Sequence, residues 1–423
     1  MQWDGQEILG KQFGEKIVHI LQVAASLNPD SAAGRLCTAL RHEGCQISTL
    51  GAFRPGFSDG HYFSNAALAK LRSRTGQAVL RLYPQRQRNM PWTTPLWGNN
   101  LTHWVEKLKP DIVHMHWTAA STIDLFSLRR ISVPLVWTFH DVWPISGGCH
   151  YNMECTKWQV ECNKCPLLGG SLPGFDLAKL LWKYKRQAYR QANVEAICPS
   201  RWLADMAAAS PLWSGKPVHH LGNAIDMNLF APANKAEMRR LWGIPENKPV
   251  ILFGATVSTI PYKGFHLLLH ALECLKKQGT DAHLVVFGEN PAANDLNFPN
   301  TSVGFVHDPA RLATLYAAAD VFVIPSMQDN LPTTVLESSA CGTPCVGFDI
   351  GGIPDMVIHN KSGYLAQKFD VADLAQGIKL ILQNSELARR WGSNAREHVF
   401  SDYESSMIAR QHMELYQRVI RRG

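Results

Sequence analysis

The stretch IPSMQDNLPTTVLESSACGTPCVGFDIGGIPDMV (residues 324–357) reads as the end of a buried strand, a polar loop, a helix and a second strand. DVFVIPS (320–326), which leads into it, and PCVGFDI (344–350), within it, are apolar without inside–outside alternation. That is the pattern of parallel strands covered on both faces. The helix between them is expected to begin near Pro332, whose fixed φ suits a first helical turn. The same rhythm runs outward along the chain. Strand-like runs in the first half are IVHILQV (17–23), CQISTL (45–50), DIVHMHW (111–117), PLVWTFH (134–140) and EAICPS (195–200). PVILFGA (249–255) and AHLVVFG (282–288) complete the second half, with amphipathic stretches such as FHLLLHALECLKKQG (265–279) and PARLATLYAAA (309–319) between runs. Two doubly wound α/β units are expected, joined at PLWSGKPVHH (211–220) where Pro and Gly cluster. Two such units facing each other form a cleft, and ligands bind at the carboxyl ends of parallel strands.

Composition narrows the class. The 423 residues are 46% hydrophobic and 18% charged, which excludes disorder, collagen and a bare coiled coil. No run of 18 apolar residues is present to span a bilayer, and residues 1–16 lack the apolar core of a secretory signal. Ten Cys, two of them in a CxxC, suit a reducing cytosol, so a cytoplasmic location is expected. The net charge of +7 is uneven. Residues 1–215 hold 23 Lys and Arg against 15 Asp and Glu, and the remainder 19 against 20. Residues 51–100 alone have seven basic residues and one acid, Asp59. A solvated basic face and a phosphate-bearing partner both fit this distribution.

At the quoted stretch, the first backbone N–H groups of the helix, at Thr333 and Thr334, point outward with the helix dipole behind them, an arrangement that holds a diphosphate. Glu337 lies one turn further in, and Asp329 eight residues before it. One carboxylate can accept two ribose hydroxyls while the other reaches a sugar. A capped helix with a solvated Glu is the alternative.

The acid-x7-Glu arrangement, followed by SACGTPCV and GGIPDMV, resembles the donor site of family 4 retaining glycosyltransferases of the GT-B fold, two Rossmann-like domains facing across a cleft. The family usually has Glu-x7-Glu; here the first acid is Asp329, one methylene shorter, and Pro332 stands where Gly is common. The resemblance implies that Glu337 binds ribose, that Asp329 meets the transferred sugar, and that Asn330, Leu331, Thr333 and Thr334 line the donor loop. It covers roughly residues 15–415. PYKGFHLLL (261–269) corresponds to the segment whose Lys, here Lys263, contacts the diphosphate; an Arg common five residues earlier is Ser258 in this chain. VGFVHD (303–308) corresponds to the nucleobase site, near Phe305 and Val306. DIVHMHW and WTFHDVWPISGGCHYNMECTKWQVECNKCP (137–166) resemble the branch that builds bacterial exopolysaccharides, in which the His at position 140 contacts the donor sugar near the reacting centre. A strand-end His is otherwise structural. SLNPDSAAGRLCTAL (26–40) matches a Gly-Gly turn that lies against donor phosphates or acceptor, which places Ala33, Gly34 and Arg35 there. The implied domains are an acceptor domain over 15–215 and a donor domain over 216–402, with a last helix (403–421) crossing back.

Cys149, Cys155, Cys162 and Cys165 are spaced C-x5-C-x6-C-x2-C. Four thiolates so close suit a structural, tetrahedral zinc ion, with His150 as a substitute ligand; two disulfides or buried thiols are the alternatives. The other six Cys read as small core hydrophobes. KLLWKYKRQAYRQ (179–191) places Leu180, Leu181, Tyr184, Ala188 and Gln191 on one face. Lys183, Lys185, Arg186 and Arg190 flank that face, with Trp182 nearby. A packed helix and a membrane-surface helix both fit.

The expected function is transfer of a hexosyl unit from a nucleotide diphosphate sugar, UDP- or GDP-linked, to a lipid-linked or oligosaccharide acceptor in exopolysaccharide synthesis. His140, Asp329 and Lys263 are the expected transfer residues. No Asp-x-Asp pair stands at a strand end, so no catalytic metal is expected. A sugar-nucleotide epimerase or hydrolase of the same fold, and a zinc-stabilised nucleic-acid-binding protein, are the rivals. The latter lacks an RNA-binding aromatic signature or helix-turn-helix pattern, so nucleic acid is not an expected partner.

Overall fold

The computed structural model describes residues 17–53, 56–64, 66–257, 260–289 and 298–422. The readings placed on residues 1–16 and on Ser258 lie outside them. Apolar runs buried on both faces become parallel strands. In the first unit these are β1 (His19–Ala24), β2 (Gln46–Gly51), β3 (His61–Tyr62), β4 (Ile112–Met115), β5 (Leu135–Thr138), β6 (Val194–Cys198) and β7 (Val218–His220). All pair in parallel in the order β3-β2-β1-β4-β5-β6-β7. The second sheet comprises β8 (Val250–Val257), β9 (His283–Glu289), β10 (Asn300–Gly304), β11 (Val321–Ile324), β12 (Cys345–Phe348) and β13 (Gly363–Ala366). It is also parallel, in the order β10-β9-β8-β11-β12-β13. The two doubly wound units expected from the sequence are present.

In each sheet the strand order reverses once, between β1 and β4 and between β8 and β11. Connections leave these neighbours in opposite directions, which opens a crevice at their carboxyl ends. The loops after β1, β4 and β5 supply the first unit's half of the cleft, and those after β8 and β11 the second's.

Four strands escape the run-of-apolar reading: β3, β7, β10 and β13. They are the four edges of the two sheets. An edge strand is short or half-covered, so its sequence carries little apolar signal; β10 is Asn-Thr-Ser-Val-Gly. The same effect moves the domain boundary. The expected joint at 211–220 overlaps β7, and the division between 215 and 216 falls before it, although β7 pairs with β6 in the first sheet. The crossing lies after His220, where Ile225 pairs with Tyr403 and Ser405 through backbone hydrogen bonds, so two connecting segments run side by side. Gly222 permits this: a Cβ there would stand 2.7 Å from the Tyr403 ring.

The helix Ser385–Tyr403 packs on the helix Thr333–Ala340 of the second unit. The following helix, Ser405–Arg422, returns to the first unit and packs on the helix Ala32–His42, burying Ile408, Ala409, Leu415, Tyr416 and Val419. The helix Leu177–Arg190 corrects the face drawn for it above. Its buried stripe is Leu177, Ala178, Leu181, Trp182, Lys185, Ala188 and Tyr189, whereas Leu180 is exposed. Trp182 is buried within the first unit's hydrophobic core and is not displayed on the surface. Lys185 is fully buried because its ammonium group reaches the carbonyls of Trp143 and Ser146 and lies 3.5 Å from the centre of the Trp143 ring. Among the described residues no helix is long and apolar enough to cross a membrane.

Candidate active site

The second unit builds its half of the cleft from two loops. After β8 the chain makes one helical turn, Pro261–Lys263, and Gly264 takes a φ of +70°. A Cβ at Gly264 would stand 1.7 Å from the carbonyl oxygen of Pro325, so this turn closes on the loop after β11 only with glycine. Its Lys263 Nζ donates to Asp329 Oδ2 at 2.8 Å, with Ser326 Oγ donating to the same oxygen at 3.4 Å. Burial alone would lower the Lys263 pKa, but Asp329 holds it above the ordinary value, so the ammonium stays charged. The helix then starts at Thr333, with Pro332 as its cap position. Glu337 is buried and fully engaged. Tyr316 OH donates to its Oε2 at 2.9 Å, and Arg35 of the first unit donates to its Oε1 at 2.5 Å.

The first unit contributes the loop Ala25–Ser31, capped by Ser31 Oγ on the Gly34 N–H, and the ends of β4 and β5. A Cβ at Gly34 would stand 2.0 Å from the Asn28 carbonyl, which seats the helix start tightly under that loop. Ala33 is buried beneath it, and Arg35, two residues on, spans the cleft. Arg35 Nη1 is buried and has no hydrogen-bond partner, and the guanidinium lies 5.2 Å from the Phe230 ring centre. His140 follows β5. Its carbonyl and that of Phe139 accept from Asn330 Nδ2 at 3.3 and 3.2 Å, while Asn330 Oδ1 accepts from Ser200 Oγ at 2.5 Å. One amide therefore ties Asp329's neighbour to two loops of the opposite unit. Leu331 is held likewise, its carbonyl accepting from Asn223 Nδ2. Burial lowers the His140 pKa to about 4, only partly offset by Asp141.

His140, Lys263, Asp329, Asn330, Leu331, Glu337 and Arg35 thus converge on one cleft, with Thr333 and Thr334 at its helix start. Phe305 and Val306 lie apart, past β10 at the sheet edge. Phe305 is half exposed, with its ring 4.4 Å from that of His307, and Val306 packs on the second core. Several cleft groups escape the sequence reading. His116 and Gln22 sit behind His140, and Tyr151 stacks on Tyr262 across the cleft at 3.7 Å. Gln328 binds Met153 N and Asn152 Oδ1 at 2.7 and 2.9 Å. A signal existed for the first two: Gln22 is a polar residue in the middle of a largely apolar run, and His114 and His116 share one strand face at i, i+2.

The cysteine loop spans Cys149 to Cys165 and docks on the second unit through those contacts and the Glu154–Lys368 ion pair. Gly147 N–H donates to Cys162 Sγ at 3.2 Å, and burial raises the thiol pKa values of Cys149, Cys162 and Cys165. Among the described residues no three Cys, His or acid side chains are gathered closely enough to share a metal ion. His150 is not a spare ligand. Its Nδ1 donates to Asp141 at 2.7 Å and its Nε2 pairs with Thr93 Oγ1 at 2.9 Å, so both ring nitrogens are committed. Cys37, Cys45, Cys198, Cys341 and Cys345 are buried as expected, and Cys274 is half-buried.

Residues 32–229 match the family model described as Glycosyltransferase Family 4, and residues 234–398 that described as Glycosyl transferases group 1. The two matches divide in the segment that links the sheets. N-acetyl-alpha-D-glucosaminyl L-malate synthase of Bacillus anthracis is 26% identical over 213 residues, 49% of this chain and 55% of that protein. Sucrose-phosphate synthase of Thermosynechococcus elongatus shares the fold with a TM-score of 0.71, at 18% identity over 96% of this chain and 100% of that one. The Anabaena protein HepE, solved with UDP and glucose, superposes with a TM-score of 0.62, at 17% identity over 95% and 100%.

Three buried histidines and the half-buried His140 give the site a pH signature. Burial, reinforced for His114 and His116 by their neighbouring rings, lowers the pKa values of His114, His116, His140 and His412, the last to about 4. Below about pH 6.5 the unfolded chain binds protons that the folded chain refuses, so their contribution is complete above 6.5 and is lost on acidification toward 4. The urea midpoint should fall between pH 7.5 and 5.5, and fall less in His412→Gln. A midpoint flat across that window, or an identical drop in the variant, contradicts this account.

Proposed function

Starting from the two family matches, by which the chain belongs to glycosyltransferase family 4 with the GT-B fold, we propose that it is a retaining hexosyltransferase. It would take its sugar from a UDP- or GDP-linked donor and pass it to a lipid-linked or oligosaccharide acceptor in cell-surface polysaccharide synthesis. The observation that carries this reading is the convergence of Lys263, Asp329 and Glu337 from one sheet with His140 and Arg35 from the other. In it, Glu337 takes the ribose hydroxyls, and Lys263, with the backbone N–H groups of Thr333 and Thr334, neutralises charge developing on the departing diphosphate. Asp329 and His140 face the sugar, and Phe305 and Val306 lie toward the base. A ribose reaches Glu337 only when Arg35 leaves it. Arg35 then carries a free guanidinium beside the diphosphate, so donor entry exchanges one charge pair for another. HepE, bound to UDP and glucose in its crystal structure, supports a uridine donor.

Two further features support the acceptor side. Residues 66–97 expose Leu68, Leu71, Leu82 and Trp97 together with Lys70, Arg74 and Arg81. Apolar side chains flanked by cations suit an anionic membrane surface, and this segment replaces the buried helix Leu177–Arg190 in that role. Cys149, Cys155, Cys162 and Cys165 are proposed to hold a structural zinc ion once their loop draws together. Buried Lys185, beside Cys149 and Cys162, would balance the charge of the thiolates.

Thermal shifts against UDP-, GDP-, ADP- and dTDP-sugars should reveal one stabilising nucleotide series. Glu337→Ala should weaken that nucleotide at least about tenfold, the loss of hydrogen bonds to a charged group. His140→Ala should keep the shift and lose transfer. Equal shifts in wild type and Glu337→Ala sink the ribose assignment, and donor turnover without acceptor points instead to a hydrolase or epimerase. Purified protein should contain about one zinc per chain, lost in Cys162→Ser; folded, metal-free protein would leave the thiols as packing groups. The chain should sediment with phosphatidylglycerol vesicles but not phosphatidylcholine ones, and Leu71→Asp with Arg74→Glu should abolish this. Equal binding to both lipids, or to neither, removes the membrane reading.

A further inference from the structure

Among the described residues, the His140 ring hydrogen-bonds through one nitrogen. Its Nε2 lies 3.1 Å from His116 Nδ1, and His116 Nε2 lies 2.6 Å from Gln22 Oε1. Gln22 and His116 are fully buried, on β1 and at the end of β4. An amide oxygen only accepts, so His116 Nε2 carries the hydrogen, and a neutral imidazole has only one. His116 Nδ1 is therefore an acceptor, and the hydrogen between the two rings belongs to His140 Nε2. His140 Nδ1 is left with its lone pair and no hydrogen-bond partner among the described residues.

We infer that Gln22 and His116 are positioning residues that hold His140 as its Nε2–H tautomer and turn its Nδ1 lone pair to the cleft. An acceptor there fits a sugar hydroxyl, which donates; a tautomer with the hydrogen on Nδ1 would offer a donor instead. This use of the lone pair rests on the proposed transferase reading, but the tautomer itself does not. The surroundings hold all the rings neutral. His116 packs on His114 at 4.1 Å between ring centres and on His140 at 5.4 Å, and His412 lies 5.9 Å from His114. His114 is fixed by Tyr416 OH at 2.6 Å and Thr138 Oγ1 at 2.7 Å. Asp141, the nearby carboxylate, is occupied by His150, Trp117 and the Trp143 N–H, and its pull on a His140 proton only partly offsets the burial that opposes it. The order of transfer of orientation is therefore Gln22 to His116 to His140, from the first sheet's switch point to the cleft.

Two-bond proton–nitrogen NMR on histidine-labelled full-length protein tests this without any substrate. The His140 signals are identified by their loss in His140→Gln. At pH 7.5 they should show hydrogen on Nε2 alone. His116→Phe and Gln22→Leu should each give a mixture of tautomers at His140, whereas Gln22→Glu, which keeps an acceptor oxygen, should preserve the single form. Hydrogen on Nδ1 in the wild type, as a reversed Gln22 amide would impose, overturns the inference. So does a His140 tautomer unchanged in both disrupting variants. If His140→Gln retains full transfer, the transferase role of His140 fails while the tautomer result stands on its own.

Discussion

The Arg35–Glu337 ion pair joins the two halves of this molecule at the point where neither half could bury its charge alone. Glu337 lies on a helix start under the second sheet, and Arg35 on a helix start under the first, with side chains 4% and 14% exposed. Removing one member of such a pair strands the other at a cost of about 3–5 kcal/mol. Lys263 and Asp329 repeat the arrangement within the second unit, so the cleft carries four charged groups and almost no net charge. In the proposed reading, a diphosphate ligand would enter such a site by exchange, taking cations from carboxylates that are then free to accept hydroxyl groups.

Neutral contacts set the geometry around these pairs. Asn330 holds the Asp329 loop against the end of β5, Gln328 receives the cysteine loop, and Tyr151 stacks on Tyr262. Each is directional, so the relative placement of the two sheets is fixed more finely than apolar contact would achieve. The return of Ser405–Arg422 to the first unit adds a second covalent crossing, laid beside the first at Ile225.

The central strands were legible because each is buried on both faces and must be apolar throughout, as in VFVI (321–324) and IVHM (112–115). The edge strands were not, since half-covered backbone places little demand on side chains. β7 shows the consequence, because missing it misplaced the domain boundary. In the helix Leu177–Arg190, the charge of Lys185 points to exposure in the sequence alone, yet the residue is fully buried. Two carbonyls and an aromatic ring satisfy that ammonium group in the core, and all three come from the loop Trp143–Ser146, some forty residues away in the chain.

The sequence by itself determined the class of fold and the placing of Asp329 and Glu337 around a helix start at a strand end, because strand burial, helix starts and the spacing of the two acids are local properties written within a few residues of one another. Only the tertiary structure decided which side chains meet. Arg35 and Glu337 are 302 residues apart, and Gln22 and His116 are 94 apart. No local pattern encodes such pairings: Gln22 meets His116 because β1 and β4 are neighbours where the first sheet reverses its strand order, and Arg35 meets Glu337 because the two sheets face each other at their carboxyl ends.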